Sequence, residues 1–508
     1  MDSTHPSLPG KPISLWLDTT PKTDYPTLPS ELAVDVVVVG GGIAGLTVST
    51  LLKEAGRTVA VLEADRIVRG VTGNTTAKVT ALHALIYDDL IRHFGEEKAR
   101  TYAEANQTAI EWIATRVDMK QIDCDFIRTA AYTYTEAPGE VELIRAETAA
   151  ALKLGLPATF VEETPLPFAV QAAVRFDNQA RFHPRKYLLA LAQDIPGEGS
   201  HIFEQTRVLD IREGETESDR CQVITERGTV LARDVVVASH FPMVDKAFYY
   251  ARMAPHRSHV LAVRIDGPTP PGLFISTTPV HSMRSQPVHD GELLFIGGEG
   301  YKTGQGGDTV ARYRRLEAWA RERFPVKAVE YRWATQDNRT FDRLPYIGRA
   351  TPNARHLFLA TGFGGWGMTN GTAAGLLLSD LILNRENPWA TVYDPNRFTL
   401  AAAPQFVKDG VNVAAHLIGD RFGGEEPDGV SPGEGGIVRT DQGQIALYKE
   451  PDGTIHRLSA KCTHMGCTVQ WNPAEISWDC PCHGSRFGAD GKVIHGPALK
   501  DLEASPLA

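Results

Sequence analysis

The first strong pattern of apolar positions begins at Ala33, in "AVDVVVVGGGIAGLTVSTLLKEAGRTVAVLEAD". The unbroken run Val36–Val39 suits a parallel strand buried on both faces, and Val59–Leu62 suits its neighbour. The stretch between them predicts a glycine turn and a helix. A charged, amphipathic stretch from about Tyr87 to Val117 predicts a helix. Alternating or β-rich segments follow at Asp123–Tyr134, in "SHVLAVRID" and in "ELLFIGGE". The segments "TVLARDVVVASHFP" and "RHLFLATGFGGWGMTNGTAAGLLLSDLI" return to strand-then-glycine patterns, the second continuing into a helix. This order predicts one Rossmann-like α/β domain interrupted by a second, sheet-rich α+β domain. A helix is expected near 404–418, and the Gly, Pro and acidic content of "GDRFGGEEPDGVSPGEGG" marks a linker. Beyond it, "GQIALYKE" and "TIHRLSAK" read as short strands turned by "PDG", so the chain should end in a small all-β domain.

The expected partition is an N-terminal arm at 1–29 and a dinucleotide-type domain at 30–120, 178–245 and 341–400. A substrate domain at 121–177 and 246–340 interrupts it, followed by a helix and linker at 401–429 and the terminal domain at 430–508. The length of 508 residues suits about three domains. A charged fraction of 22% is ordinary for a globular protein. The net charge of −10 and the absence of a basic stripe exclude nucleic acid as a partner. No apolar run approaches the ~18 residues of a membrane span, so no membrane anchor is expected. The arm, "MDSTHPSLPGKPISLWLDTTPKTDYPTLPS", has neither the basic start and apolar core of a signal peptide nor a twin arginine. It reads as a strap laid over the surface of a cytoplasmic protein. Cys124 and Cys221 stand alone and read as small buried hydrophobes.

Gly40-x-Gly42-x-x-Gly45 follows a strand and opens a helix. Such glycines permit a tight turn, close approach of a pyrophosphate to the helix start, and helix–sheet packing. Glu63 ends the second strand, where an acid accepts hydrogen bonds from a ribose and disfavours a 2′-phosphate. One such unit is present. "GGEGYKTGQGG" after Phe295 reads as a loop, so a single flavin is favoured over a flavin with a nicotinamide nucleotide.

With "FDRLPYIGR" at 341–349 and "LFLATGFGGWGMTNGTAAG" at 357–375, residues from about Leu28 to Arg397 resemble the FAD-dependent D-amino-acid oxidase, glycine oxidase and sarcosine oxidase superfamily. The resemblance implies a Rossmann-like FAD-binding fold of the glutathione-reductase type. It implies FAD contacts from Gly40, Gly42, Ile43, Ala44, Gly45, Glu63 and Ala64, and from Gly362, Gly365, Trp366, Gly367, Met368 and Thr369. "GVTGNTTAK" matches the segment on the flavin's other flank, so Thr76 and Lys78 are expected neighbours, and Val208 is expected to offer a backbone contact to adenine. The chain departs from the family where a basic residue should bind a substrate carboxylate. Asp337, Gly365 and Thr369 stand at those places, and an acid there favours a cationic amine. His83, Arg284 and Asp337 are the candidate catalytic residues.

Four of the six cysteines fall within 21 residues, in "CTHMGC" and "CPCHGS". Cys462-x-His464 and Cys480-x-x-His483 offer two sulfurs and two imidazoles, a set that suits either a structural zinc or an iron–sulfur centre. The two stretches, with the closing "GPALKDLEASPL", resemble the Rieske [2Fe–2S] proteins of the respiratory and photosynthetic cytochrome complexes. The resemblance implies Cys462, His464, Cys480 and His483 as cluster ligands and a disulfide between Cys467 and Cys482. Phe487 stands where that family has a Tyr. Rieske oxygenases fit poorly: they lack the cysteine pair, and "HRSH" at 256–259 has Met253 where their iron site needs an acid.

The combination implies FAD plus a Rieske cluster in one oxidoreductase. A cluster exchanges electrons singly, which an oxidase passing electrons to oxygen does not require. The expected activity is therefore dehydrogenation of the C–N bond of an amine or N-methyl compound, with an external one-electron partner protein or a quinone. Two alternatives stay open: a reductase in which the cluster feeds FAD, and a non-enzymatic redox sensor or electron carrier.

Overall fold

The computed structural model describes residues 8–216, 219–243, 247–397, 399, 402–419, 430–440 and 443–505. The outer parts of the expected arm and linker, at 1–7 and 420–429, lie outside the described residues, as do 244–246 and 506–508.

Five strands run parallel in the first domain: Leu357–Thr361, Thr229–Val237, Leu32–Val39, Val59–Leu62 and His201–Phe203, in that spatial order. Tyr346–Arg349 closes one edge antiparallel. The sheet has eight strands among the described residues once the hairpin Val208–Arg212 and Cys221–Thr225 is added. Val36, Val37 and Val38 are at most 1% exposed, as a strand covered on both faces requires. Helices Ile43–Glu54 and Gly367–Ile382 cover one face. They approach closely because Gly371 and Gly375 face Ile43 and Thr47, where a Cβ would stand 2.7 and 2.5 Å from their side chains.

The second sheet runs Val326–Thr340, Met253–Ile265, Gly291–Lys302, Ser282–Val288, Leu273–Ser276, Ile127–Thr135, Ala172–Arg181 and Lys78–Val79, with Ala158–Val161 paired to Ala172–Arg181. Lys78 and the whole strand Ala172–Arg181 therefore belong to this sheet, although the first domain was expected to hold both Lys78 and the strand's last four residues. Residues 297–302, expected as loop, continue the strand Gly291–Lys302, and the helix Thr309–Arg323 follows after a turn. The strand is antiparallel to both neighbours, so the segment is no second nucleotide fingerprint. The stretch expected as one helix from Tyr87 is two, Tyr87–Phe94 and Glu96–Met119, broken at Gly95 with φ 83°.

The arm is more than a surface strap. Its turn of helix Leu15–Asp18 buries Trp16 completely, with the indole 4.6 Å from the His183 ring and 5.1 Å from Phe295. Trp16 Nε1 donates to the Thr75 carbonyl at 2.7 Å, so the arm also braces the 70–78 loop. Cys124 and Cys221 are buried, and desolvation pushes the Cys124 thiol up to about 12.

The terminal domain packs a three-stranded sheet, Gly435–Thr440, Gly443–Lys449 and Ile455–Ser459, with a four-stranded one, Gln470–Asn472, Ser477–Asp479, Arg486–Gly488 and Val493–His495. Trp478 and Phe487 are fully buried in its core. The helix Ala403–Gly419 bridges the domains: Lys302 Nζ donates to Asp409 and Asn412 at 2.7 Å, while Val413 and Leu417 pack on the terminal core. No helix among the described residues is long and apolar enough to cross a membrane.

Candidate functional site

A cavity of about 1540 Å³ opens at the carboxyl ends of the parallel strands and extends under the second sheet. The glycine turn forms one end. Gly42 precedes the helix Ile43–Glu54 and has no side chain to cap it; the Ile43 amide donates to the Thr72 hydroxyl at 3.3 Å, and Ile43 and Ala44 line the cavity. A Cβ on Gly45 would stand 1.9 Å from the Gly40 carbonyl oxygen, so this residue must be glycine for strand and helix to meet. Glu63 accepts from the Gly41 amide at 2.8 Å and the Asp65 amide at 3.0 Å. Burial raises its carboxyl, and the two amides act against that rise.

The structure brings most of the expected residues to this one cavity. Gly40, Gly42, Ile43, Ala44, Glu63, Ala64 and Val208 line the end beside the parallel strands. Thr76 and Lys78 line one flank, and Gly362, Gly365, Trp366, Gly367 and Met368 the other. Asp337 faces Gly365, whose amide it accepts, and burial pushes its carboxyl up to about 6 against the pull of Arg339 and Arg257. Burial, reinforced by the nearby Arg284 charge, holds Lys78 down to about 7.

Three expected residues stand behind the wall. Gly45 is in the turn's interior. Thr369 is 1% exposed, and its hydroxyl donates to the Thr80 carbonyl at 3.1 Å instead of reaching the cavity. Arg284, a catalytic candidate in the sequence, is corrected here: it is fully buried, and its guanidinium donates to the carbonyls of Thr76, Ala77, Phe182 and Ser285. It holds the 76–78 flank in place. His83 touches the cavity but is likewise committed: Nδ1 accepts from the Tyr102 hydroxyl at 2.6 Å, Nε2 donates to the Thr80 carbonyl at 2.8 Å, and the ring stacks on Trp366 at 4.8 Å. Burial lowers it to about 3, so it is neutral and positions Trp366 without exchanging a proton at ordinary pH.

In the terminal domain two loops meet. The Cys480 thiol hydrogen-bonds Cys462, lowering Cys462 to about 7 and raising Cys480, and Ser485 also reaches Cys462. The His464 and His483 rings lie 5.1 Å apart. The sulfurs of Cys467, Cys480 and Cys482 fall within 4.8 Å of one another, but Cys467 and Cys482 form a disulfide and so offer no ligand. Two apposed buried thiols, and a buried His483 Nδ1 with no hydrogen-bond partner among the described residues, fit a soft metal cluster.

The domains meet at this centre. The Tyr250 ring lies 5.2 Å from His483 and 6.1 Å from His464. Gln336 Nε2 donates to the Gly484 carbonyl at 3.0 Å, and Arg257 pairs with Glu475. Residues Val493–Leu499 of the terminal domain line the same cavity as the glycine turn, with the His495 ring 5.0 Å from His240. Sequence reasoning missed His240, Tyr250, Arg339 and His495. Period-2 alternation would have put Arg339 on the face of Asp337, whereas the others carried no local signal.

Residues 35–381 match the pattern of the FAD-dependent oxidoreductase family, and residues 425–506 that of the Rieske [2Fe–2S] domain. YhfW of Bacillus subtilis, named as a Rieske 2Fe-2S iron-sulfur protein, is 39% identical over 504 residues, 98% of each chain. The gamma-glutamylputrescine oxidoreductase of Escherichia coli is 25% identical over 375 residues, 70% of this chain and 85% of its own. The crystal structure of glycine oxidase from Geobacillus kaustophilus superposes with a TM-score of 0.59 at 19% identity, covering 72% of this chain and 99% of that one. From its fingerprint turn to its paired Cys/His loops, the chain belongs to the FAD-dependent oxidoreductase family and is an enzyme with a C-terminal Rieske [2Fe–2S] domain.

Proposed function

We propose that this enzyme dehydrogenates the C–N bond of an amine or N-methyl compound and delivers the electrons singly, through its Rieske domain, to an external acceptor. The observation that carries the reading is the shared wall: Val493–Leu499 of the Rieske domain lines the cavity of the fingerprint turn, and the His464–His483 pair is packed against Tyr250. A Rieske domain merely tethered to a flavoprotein would need neither contact.

In this reading the amides of the Gly40–Gly45 turn receive the FAD pyrophosphate, and Glu63, fixed by two amides, receives the ribose. Trp366, Gly367 and Met368 hold the flavin on one flank and Thr76 and Lys78 on the other. Cys462, Cys480, His464 and His483 hold the cluster, with Cys467–Cys482 stapling the two loops. Bound FAD supplies the two-electron acceptor for C–N oxidation, and the cluster supplies one-electron exchange. The protein's own contribution is Asp337. Its carboxylate lies beside Gly365, carries no ion pair among the described residues, and is pushed up to about 6 by burial. It can bind a substrate ammonium and accept its proton at Oδ2. The related E. coli enzyme acts, by its name, on an amine compound, which supports this class.

Anaerobic mixing with a panel of amines tests the reading. An amine should bleach the flavin and bring up the signal of the reduced cluster in electron paramagnetic resonance. Bleaching by dithionite or a reduced ferredoxin, and by no amine, would reverse the direction of flow.

A further inference from the structure

Most cations on the cavity wall are spent within the protein. Arg343 pairs with Asp89, Arg312 with Glu299, Arg207 with Glu226, and Arg257 with Glu475. Two wall cations, Lys78 and Arg339, have no ion pair or side-chain hydrogen bond among the described residues. Lys78 belongs to the flank read above as a flavin neighbour. Arg339 has no such assignment, and it lies two residues beyond Asp337 on the strand Val326–Thr340. Residues two apart point to one face, with Cα atoms about 6.5–7 Å apart. Each rests on its own glycine of the turn: a Cβ on Gly365 would stand 3.8 Å from Asp337 Oδ2, and one on Gly364 3.9 Å from Arg339 Cγ. The cavity thus presents an acid and a cation side by side, neither of them in an ion pair among the described residues.

We propose that the substrate is a bipolar chain molecule whose amine engages Asp337 while a carboxylate or similar anionic group at its far end engages Arg339. This rests on the amine reading above and deepens it. An α-amino acid carries both charges on one carbon. Its carboxylate stands next to its ammonium, so an ammonium bound at Asp337 brings the carboxylate close to the same negative charge. A short ω-amino acid, or an N-substituted amine ending in a carboxylate, holds its two charges apart, so that the carboxylate can meet Arg339 away from Asp337. Guanidinium–carboxylate pairing also fixes orientation, since the planar fork accepts the group in few poses.

The test uses the FAD- and cluster-loaded protein under anaerobic conditions, with three probes: butylamine, butyrate and 5-aminovalerate. Binding is read from perturbation of the flavin absorption and by calorimetry, and reduction from bleaching. The wild-type protein should bind 5-aminovalerate roughly tenfold or more tightly than butylamine, as a charge-assisted hydrogen bond provides. R339Q should weaken butyrate and 5-aminovalerate about tenfold more than it weakens butylamine, and R339K should recover part of the loss. D337N should do the converse, weakening both amines more than butyrate. Equal affinity for butylamine and 5-aminovalerate in the wild type, or equal losses for all three probes in R339Q, would overturn the proposal. If 5-aminovalerate binds through both side chains while no amine bleaches the flavin, dehydrogenation falls and the bipolar site stands.

Discussion

Glu475→Ala removes the carboxylate that joins the Rieske domain to the second sheet. Arg257, 2% exposed on the strand Met253–Ile265, donates to Glu475 Oε2, which also accepts from Arg486 at 2.7 Å. Arg486 is held in turn by Asp479 at 2.8 Å. Burial would raise the Glu475 carboxyl, but Arg257 and Arg486 together outweigh it and hold it down to about 2. Without Glu475, the Arg257 charge stays buried with no ion-pair partner, attracted only by carboxylates at longer range such as Asp479 and Asp337. Breaking a buried pair from one side costs about 3–5 kcal/mol. That cost should fall on the interface, because the partners belong to separate cores, and it shifts docking by roughly a hundredfold or more. Urea denaturation followed by flavin fluorescence and by the visible circular dichroism of the cluster should give coincident transitions in the wild type. In Glu475→Ala the cluster signal should move first. The paired replacement Arg257→Met with Glu475→Leu, which leaves no charge stranded, should restore most of the coincidence. The pH dependence has a definite sign. A carboxyl depressed from 4.5 to about 2 contributes its full stabilisation above pH 4.5 and loses it as pH falls toward 2. The gap between wild type and variant should therefore be full at neutral pH and close in acid. Unchanged transitions in Glu475→Ala at pH 7, or equal damage in the double variant, would refute the account.

Gly45→Ala should abolish FAD retention, since its Cβ would collide with the Gly40 carbonyl oxygen; flavin content after gel filtration measures this. His83→Ala should weaken FAD binding by about 1–3 kcal/mol through the lost bond to Tyr102 and the lost stack on Trp366. Fluorimetric FAD titration, with cluster content as the control, should show it. Affinity for a cationic amine should rise with pH through about 6 as Asp337 ionises and then level off; Asp337→Asn should flatten the profile. Phe487 is fully buried on the strand Arg486–Gly488. In the resembling family the Tyr at this position donates its hydroxyl to a ligand cysteine sulfur; Phe487→Tyr should therefore raise the cluster midpoint by about 40–90 mV in a redox titration, the shift for a hydrogen bond that favours the reduced state by ~1–2 kcal/mol.

What could be read without coordinates was local. Strand, glycine turn, helix and acid lie within one contiguous stretch, and the dinucleotide turn and the Cys/His ligand set stand at short fixed spacings in 40–63 and 462–483, where the family resemblance assigned them FAD and a Rieske cluster. The tertiary structure decided what depends on contacts between distant residues. An apolar face has the same period whether it meets solvent or another domain, so nothing in "ISLWLD" distinguished a surface strap from a segment that buries Trp16. A lone arginine reads alike as a ligand clamp or a brace. For Arg284 the outcome turned on four carbonyls, three of them about 100 to 200 positions away in the chain. His240 and His495, 255 residues apart, meet because the Rieske domain docks on the cavity. That docking includes the buried charge pair of Arg257 and Glu475, 218 positions apart, and no spacing rule within a single sequence connects residues so distant.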